Sequence, residues 1–360
     1  MDIAVNCNML STLERLKFGH PFILLIINFL AMDYRNMGHT GLQLSVVSYG
    51  SWVTFHKQVD DSLADELMGI AYDNGINFFD NAEVYALGES EKLMGRVLKR
   101  KNWERSSYIV SSKAYFGWRG KNNKPNQTGL SRKHLVEACN EALQRLQVEY
   151  LDLYFCHRPD TTVPIEEVVW TMNHLIQQGK ILYWGTSQWS GAEIMEAHRA
   201  AQQYKLIGPA VEQPQYNMFE RFKMEQDYLP VFQNAGMGTT IWSPLAAGFL
   251  TGKYNDGIPA GSRLAIEGFG WLKERWVQDD KIEKVKKLGE LAKKMNVPLA
   301  SLAIAWTIHN PNVTTTILGA TKKQQLEENL KALDVVSLLT PEIIEKIEKI
   351  LQNKPELDLA

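Results

Sequence analysis

From Leu42 onward the chain alternates two kinds of apolar pattern. Short runs rich in β-branched and aromatic residues give way to longer stretches whose apolar positions recur every three or four residues. Leu44–Tyr49, Asn77–Asp80, Tyr108–Ser112, Leu151–Cys156, Ile181–Thr186, Ala210–Glu212, Gly238–Trp242 and Thr314–Leu318 read as strands. Between them, Ser62–Tyr72 places Leu63, Leu67, Ile70 and Ala71 on one helical face and ends just before Gly75. Glu89–Arg100 reads as the next helix. A third, capped by Ser131, carries Leu135, Cys139, Ala142, Leu143 and Leu146 as its apolar stripe. Ile165–Gln178, Gly191–Tyr204, Lys281–Met295, Leu299–His309, Lys322–Leu333 and Pro341–Gln352 complete the predicted helices.

Strands alternating with helices imply a parallel sheet. Eight such units over about 300 residues fit an α/β fold of the (β/α)8 TIM-barrel type, finished by a C-terminal helix. A doubly wound sheet fits less well, because the strand count exceeds its usual six and no strand is followed by G-x-G-x-x-G. The Gly117/Gly120, Gly236/Gly238 and Gly268/Gly270 pairs do not complete that motif. After the seventh strand comes an irregular, glycine-rich stretch from Pro244 to about Asp280. Connections of this length in a compact domain are usually functional. The expected organisation is an N-terminal extension over 1–31, a barrel over 32–353 and a short tail over 354–360.

The extension holds one apolar run, Phe22–Ala31. It is half the length of about 20 residues that a bilayer span needs, so no membrane span is expected. Three readings stay open. It is the core of a targeting signal flanked by Arg15 and Lys17, although no small-residue cleavage site follows. It is an ordered extension. Or it is an artefact of start-site choice, with Met32 as the first residue. The 39 basic residues are balanced by 41 acidic ones, which excludes nucleic-acid binding through bulk positive charge. Cys7, Cys139 and Cys156 offer neither a disulfide framework nor metal-site spacing, so a reducing, cytoplasmic setting and no metal are expected.

Barrel chemistry sits where the strands end. The second predicted strand ends at Asp80, with Tyr85 close behind; the third leads to Lys113; the fourth leads to His157. Each residue alone has an ordinary explanation: a turn cap, a packed ring, a solvated ammonium, a satisfied imidazole. Together they form a set suited to carbonyl reduction. A phenol is a poor acid at neutral pH, and a nearby ammonium favours its phenolate. A carboxylate keeps the ammonium charged and oriented, and an imidazole can hold the substrate oxygen. Tyrosine then donates a proton as a cofactor's hydride attacks the carbon.

The chain resembles the aldo-keto reductase superfamily from about Asp33 to Asn353. The resemblance rests on D-N-A-E-V-Y at 80–85, Lys113 and H-R-P-D at 157–160. It extends through Y-W-G-T-S at 183–187, E-Q-P-Q-Y-N at 212–217, W-S-P-L-A-A-G at 242–248, L-T-G-K-Y at 250–254, L-G-A-T at 318–321 and Q-L-E-E-N at 325–329. It is most similar to the branch of potassium-channel β subunits and bacterial glyceraldehyde-3-phosphate reductases. The resemblance implies Tyr85 as general acid, Lys113 and Asp80 as its tuning pair, and His157 as the carbonyl-orienting group. It implies a cofactor held without a Rossmann fingerprint. Trp52 and Gln58 would face it from the first loop, Ser187 and Gln213 would hold the nicotinamide amide, and Tyr216 would stack on the ring. Trp242, Ser243, Leu245, Gly248 and Lys253 would line the pyrophosphate path, and Arg263, Gly319, Thr321, Gln325, Glu328 and Asn329 the adenosine end. Lys253 and Arg263 beside a helix start suit a 2′-phosphate, hence NADP(H). Taken singly, most of these are equally core, turn or solvated residues.

The chain departs from the channel-subunit pattern in three places. His157 stands where that branch has Asn, Gln188 where it often has Arg, and His56-Lys57 replaces a small-residue pair. Tyr115, Phe116 and Trp118 read equally as a substrate wall or as packing, and Arg119, Lys121 and Lys124 as a solvated loop or an attractor of phosphorylated aldehydes. The expected function is NADPH-dependent reduction of a small-molecule aldehyde or ketone, with glyceraldehyde 3-phosphate and methylglyoxal as examples. The alternative is an NADP(H)-binding regulatory protein of β-subunit type with little turnover. The resemblance further implies a homo-oligomer, a tetramer or higher.

Overall fold

In the computed structural model the described residues are 32–52, 59–266 and 270–356. The readings of the N-terminal extension, of His56-Lys57 and Gln58, and of residues 357–360 lie outside them. The expected barrel is present. Strands β3 (Val47–Gly50), β4 (Phe78–Asp80), β5 (Ile109–Ala114), β6 (Leu151–Cys156), β7 (Ile181–Thr186), β8 (Val211–Glu212), β9 (Gly238–Trp242) and β10 (Thr315–Leu318) close into one parallel barrel, β10 pairing with both β9 and β3. They are preceded by an antiparallel hairpin, β1 (Tyr34–Asn36) and β2 (Gln43–Ser45). Helices α1 (Asp61–Asp73), α2 (Glu89–Lys101), α3 (Arg132–Leu146), α4 (Ile165–Gln177), α5 (Gly191–Tyr204) and α6 (Leu229–Ala235) follow successive strands. Then come α7 (Gly270–Trp276), α8 (Asp279–Lys294), α9 (Leu299–His309), α10 (Lys323–Leu330), α11 (Ala332–Val336) and α12 (Pro341–Leu351).

The pleat of the strands divides the side chains into two cores, because successive residues point to opposite faces. Phe79, Val110, Tyr154 and Trp184 pack outward against the helices. Phe78, Ile109, Leu153, Phe155 and Val211 fill the barrel, with Met37 and Leu44 of the hairpin region below them. Continuing each inward row by steps of two changes its chemistry. Phe78 leads to Asp80, Ile109 to Ser111 and Lys113, Phe155 to His157, and Val211 to Gln213. The barrel is therefore apolar at one end and polar at the other, and its polar end carries the candidate chemistry.

The hairpin closes the apolar end. The Arg35 guanidinium donates to the carbonyls of Ile308 (2.8 Å), Asn310 (3.2 Å) and Val313 (2.6 Å), tying the hairpin to the turn before β10. Gly38 (φ 56°) lies so close to Gly236 that a Cβ there would stand 2.1 Å from its carbonyl oxygen.

Several predicted elements differ in detail. The first predicted strand divides at Val46, because Ser45 turns its hydroxyl onto the Val47 carbonyl (2.6 Å) while its N–H donates to Asn77 (2.9 Å). Helix 322–333 divides into α10 and α11. The irregular stretch after β9 contains α7 and two single 3-10 turns at Ala246–Thr251 and Arg263–Ala265, and α6 fills what was read as a plain connection before β9. These pieces are shorter than the window of about 11 to 18 residues over which a helical period can be read.

Candidate functional site

The polar end is organised around one buried ion pair. Lys113 Nζ donates to both oxygens of Asp80 (2.8 and 2.7 Å), to the Asn81 carbonyl (2.7 Å) and to Tyr85 Oη (3.3 Å). Asp80 Oδ1 also accepts from Ser111 (2.8 Å) and from the Gln213 amide (3.0 Å). Both charged side chains are almost wholly buried. Desolvation makes such a pair costly unless its remaining lone pairs and protons are used, and here they are. Burial pulls the Lys113 ammonium below its ordinary range, and the Asp80 charge opposes that shift.

Tyr85 is placed by the turn that follows it. Ala86 (φ 49°), Leu87 (φ 57°) and Gly88 (φ 83°) are all left-handed, a conformation disfavoured for Ala and Leu. The chain reverses there into α2, leaving the phenol over Lys113. A neighbouring ammonium is expected to lower the phenol's pKa. Instead burial, then the Asp80 charge, pushes it well above the usual 10, with Arg158 opposing. His157 meets Tyr85 edge-on, ring centroids 5.9 Å apart. Its imidazole is held well below 6.5 by burial and by the charges of Lys113 and Arg158, so it is neutral. Its Nδ1 is enclosed without a hydrogen-bond partner among the described residues.

This corner opens into a cleft of about 750 Å³ that extends to the first turn of α10. That volume falls within the range of cofactor sites. Asp80, Tyr85, His157, Trp52, Ser187 and Gln213 line one end, with Lys113 beneath them. Trp242, Ser243, Leu245, Gly248, Lys253 and Arg263 line the middle. Gly319, Thr321, Gln325, Glu328 and Asn329 line the far end. Trp52 and Trp242 meet edge to face at 5.7 Å, and the Arg263 guanidinium lies 5.7 Å from the centre of the Trp52 ring. Gln188 is absent from the lining. In the amide orientation that satisfies it, its oxygen accepts from the Trp242 indole N–H (3.0 Å), so it braces the wall from behind.

The middle of the cleft fits an anionic group. Ser243 (φ 60°), Ala246 (φ 48°), Ala247 (φ 59°) and Gly248 (φ 90°) are left-handed and fold the loop onto itself, the Ala246 and Gly248 N–H groups donating to the Ser243 and Leu245 carbonyls, so the cations beside it carry the attraction. Gly248 holds a φ of 90°, a conformation that favours glycine, and lies against the flexible end of Lys253. Lys253 and Arg263 have no carboxylate in ion-pair range among the described residues, and burial lowers the Arg263 pKa. The donor set therefore fits a dinucleotide phosphate.

Some expected residues lie elsewhere. Tyr216 is buried against Trp306 (5.1 Å between centroids) with its hydroxyl on Glu225 (2.7 Å), and it does not line the cleft. Of the aromatic trio only Phe116 lines it. Trp118 instead donates to Glu141 (2.5 Å), which also holds Arg119 (2.9 Å). Among the lining residues that carry no role in the sequence reading are Arg158, Thr251 and Ser262. Arg158 was legible in principle, since it directly follows His157 at the same strand end.

Comparison with known proteins agrees with this geometry. Residues 46–352 match the Aldo/keto reductase family. A protein of Arabidopsis thaliana described as "Probable voltage-gated potassium channel subunit beta" is 49% identical over 326 residues, covering 90% of this chain and 98% of the relative. A protein of Oryza sativa subsp. japonica with the same description is 50% identical over the same coverage.

Proposed function

The chain belongs to the aldo/keto reductase family, whose members are oxidoreductases acting on carbonyls with a nicotinamide cofactor, and on that footing we propose that it reduces aldehydes or ketones with NADPH. The observation that carries this reading is the buried Lys113–Asp80 pair beneath Tyr85 and a neutral His157, at the mouth of a cleft long enough for a dinucleotide.

Ser187 and Gln213 would hold the nicotinamide end, Trp242 to Lys253 the pyrophosphate, and Arg263 with Thr321 to Asn329 the adenosine end. When bound, the nicotinamide supplies the hydride. His157, neutral and with Nδ1 enclosed, offers its other ring nitrogen to the substrate oxygen. Tyr85 is raised well above 10, so it keeps its proton at neutral pH. It gives that proton up only as the substrate oxygen gains charge, and the phenolate that remains faces the Lys113 ammonium at 3.3 Å. Asp80 holds that ammonium in place. Arg263, without a carboxylate at the adenosine end, favours NADPH over NADH through the 2′-phosphate.

The test is NADPH oxidation by the purified protein over a panel of aldehydes, with Tyr85→Phe as the variant. Turnover is expected to fall by about 10²- to 10⁴-fold while NADPH still binds. Full activity in Tyr85→Phe removes the mechanism. A second reading draws on the relatives' descriptions: a regulatory protein of channel β-subunit type that binds NADP(H). Tight NADPH binding without turnover on any member of the panel would favour it.

A further inference from the structure

A guanidinium with no counter-charge faces the cleft beside the reacting corner. Arg158 is half-buried and lines the same wall as Tyr85 and His157. Its Nη1 hydrogen-bonds the neighbouring His157 carbonyl and stands 3.5 Å from Ser187 Oγ. Phe116 lies under the guanidinium plane at 5.6 Å and fixes the direction in which it points. Among the described residues no carboxylate is in ion-pair range of it. The nearest candidates are committed elsewhere. Asp80 is saturated by Lys113, Ser111 and Gln213, while Glu212 accepts from Thr186 (2.5 Å), the Gln188 N–H (2.6 Å) and Tyr228 (3.2 Å).

An arginine cannot shed its charge by losing a proton. A buried cation is normally paired, because its desolvation is costly otherwise. Arg105 pairs with Asp152, Arg145 with Glu91, and Arg221 with Glu225 and Glu348, whereas Arg35 is capped by three carbonyls and Arg263 faces the cleft without a carboxylate. Arg158, like Arg263, lacks a carboxylate, and it does so beside the reacting corner, where a substrate must sit. The phosphates of a bound dinucleotide would have their own site at Ser243–Lys253, in the middle of the cleft.

We propose that Arg158 anchors an anionic group of the substrate, so that the preferred substrate is a short carbonyl compound bearing a carboxylate or phosphate. A fork of N–H donors suits either anion in bidentate fashion. Phe116 would cover the carbon chain between the anion and the carbonyl held by Tyr85 and His157. This inference rests on the reductase reading for the word substrate, but the anion site itself does not.

Two measurements separate the cases. The first is calorimetric titration of inorganic phosphate, and separately of acetate, into the NADP⁺-loaded full-length protein. Binding to the wild type is expected, weakened at least tenfold in Arg158→Ala and only partly in Arg158→Lys. The stronger of the two ions identifies the anion class. The second is the ratio of kcat/KM for glyceraldehyde 3-phosphate over glyceraldehyde, and for succinic semialdehyde over butanal. At least one ratio should favour the anionic partner in the wild type and fall by about 10- to 100-fold in Arg158→Ala, through KM. Anion binding lost in the variant, with no turnover of any aldehyde, would keep the site and discard the reductase. Turnover with ratios indifferent to Arg158, or anion affinity equal in wild type and variant, would overturn the proposal. So would weaker NADP⁺ binding in Arg158→Ala with both ratios unchanged, which would assign the arginine to the cofactor.

Discussion

The two ends of the cleft are built on opposite principles. Around Asp80 and Lys113, at the ends of β4 and β5, side chains satisfy one another. Lys113, Asp80, Ser111, Gln213 and Asn81 form a closed set of short hydrogen bonds, with no ligand needed to complete it. In the loop after β9 the backbone satisfies itself and the cations are left over. Ser243, Ala246, Ala247 and Gly248 hold left-handed conformations, and Lys253 and Arg263 stand without a carboxylate. The first arrangement costs desolvation and is repaid within the protein. The second leaves two cations for a ligand to complete. Chemistry that depends on fixed geometry sits on rigid strands, and the part that must admit and release a large cofactor sits on a loop.

The comparison breaks most sharply at Lys113. Replacing it by Met keeps the volume but strands Asp80 as a buried charge without its partner. Removing one member of a buried pair costs about 3–5 kcal/mol, so Lys113→Met should lower the denaturant midpoint strongly as well as abolish turnover. A Lys113→Met protein as stable as the wild type would mean that the corner is not held by this pair. At the loop end the same kind of change should barely touch stability. Arg263→Ala removes a cation that has no partner to lose, and its effect should appear in the ligand. A charge-assisted contact is worth about 1.5–3 kcal/mol, so NADPH affinity should fall about 10- to 100-fold in fluorescence titration, with NADH affected far less. Equal losses for both dinucleotides would place the arginine away from the 2′-phosphate.

The same contrast explains what was legible in the sequence. The barrel and the Asp80, Tyr85, Lys113 and His157 corner could be read because strands have a strict period of two. Once Phe78 is inward, Asp80 is inward too, and the same step carries Phe155 to His157. The loop end was legible only through its resemblance to a family, since no period governs Ser243–Arg263. Tyr216 was misplaced for that reason: four residues beyond β8 it has left the pleat, and it packs on Trp306 instead of facing the cleft. Arg158 went unread because nothing in a one-dimensional pattern shows that a cation lacks a counter-charge. That fact exists only once Asp80 and Glu212 are seen to be engaged by others. The hairpin β1–β2 and the division at Val46 were missed because strands of three residues are too short to show alternation.

The smallest expected effect concerns pH, and it tests whether the strand-end corner is complete in itself. His157 is held well below 6.5 by burial and by two neighbouring cations, and Tyr85 is pushed well above 10 by burial and by Asp80. Neither group changes charge between those values, so kcat at saturating NADPH should be flat from about pH 6.5 to pH 10. Stability should behave differently at the two limits. Below pH 6.5 the unfolded chain's imidazole takes up a proton that the folded His157 refuses, so its contribution to stability is present above 6.5 and lost as pH falls. For Tyr85 the sign reverses. Its folded pKa is raised, so its contribution is full below 10 and lost as the solution becomes more alkaline. A kinetic pKa between 7 and 9 that disappears in Tyr85→Phe would show that the ligands themselves retune the phenol. The corner would then be finished by its ligand, as the loop is, and the distinction between the two ends would fall.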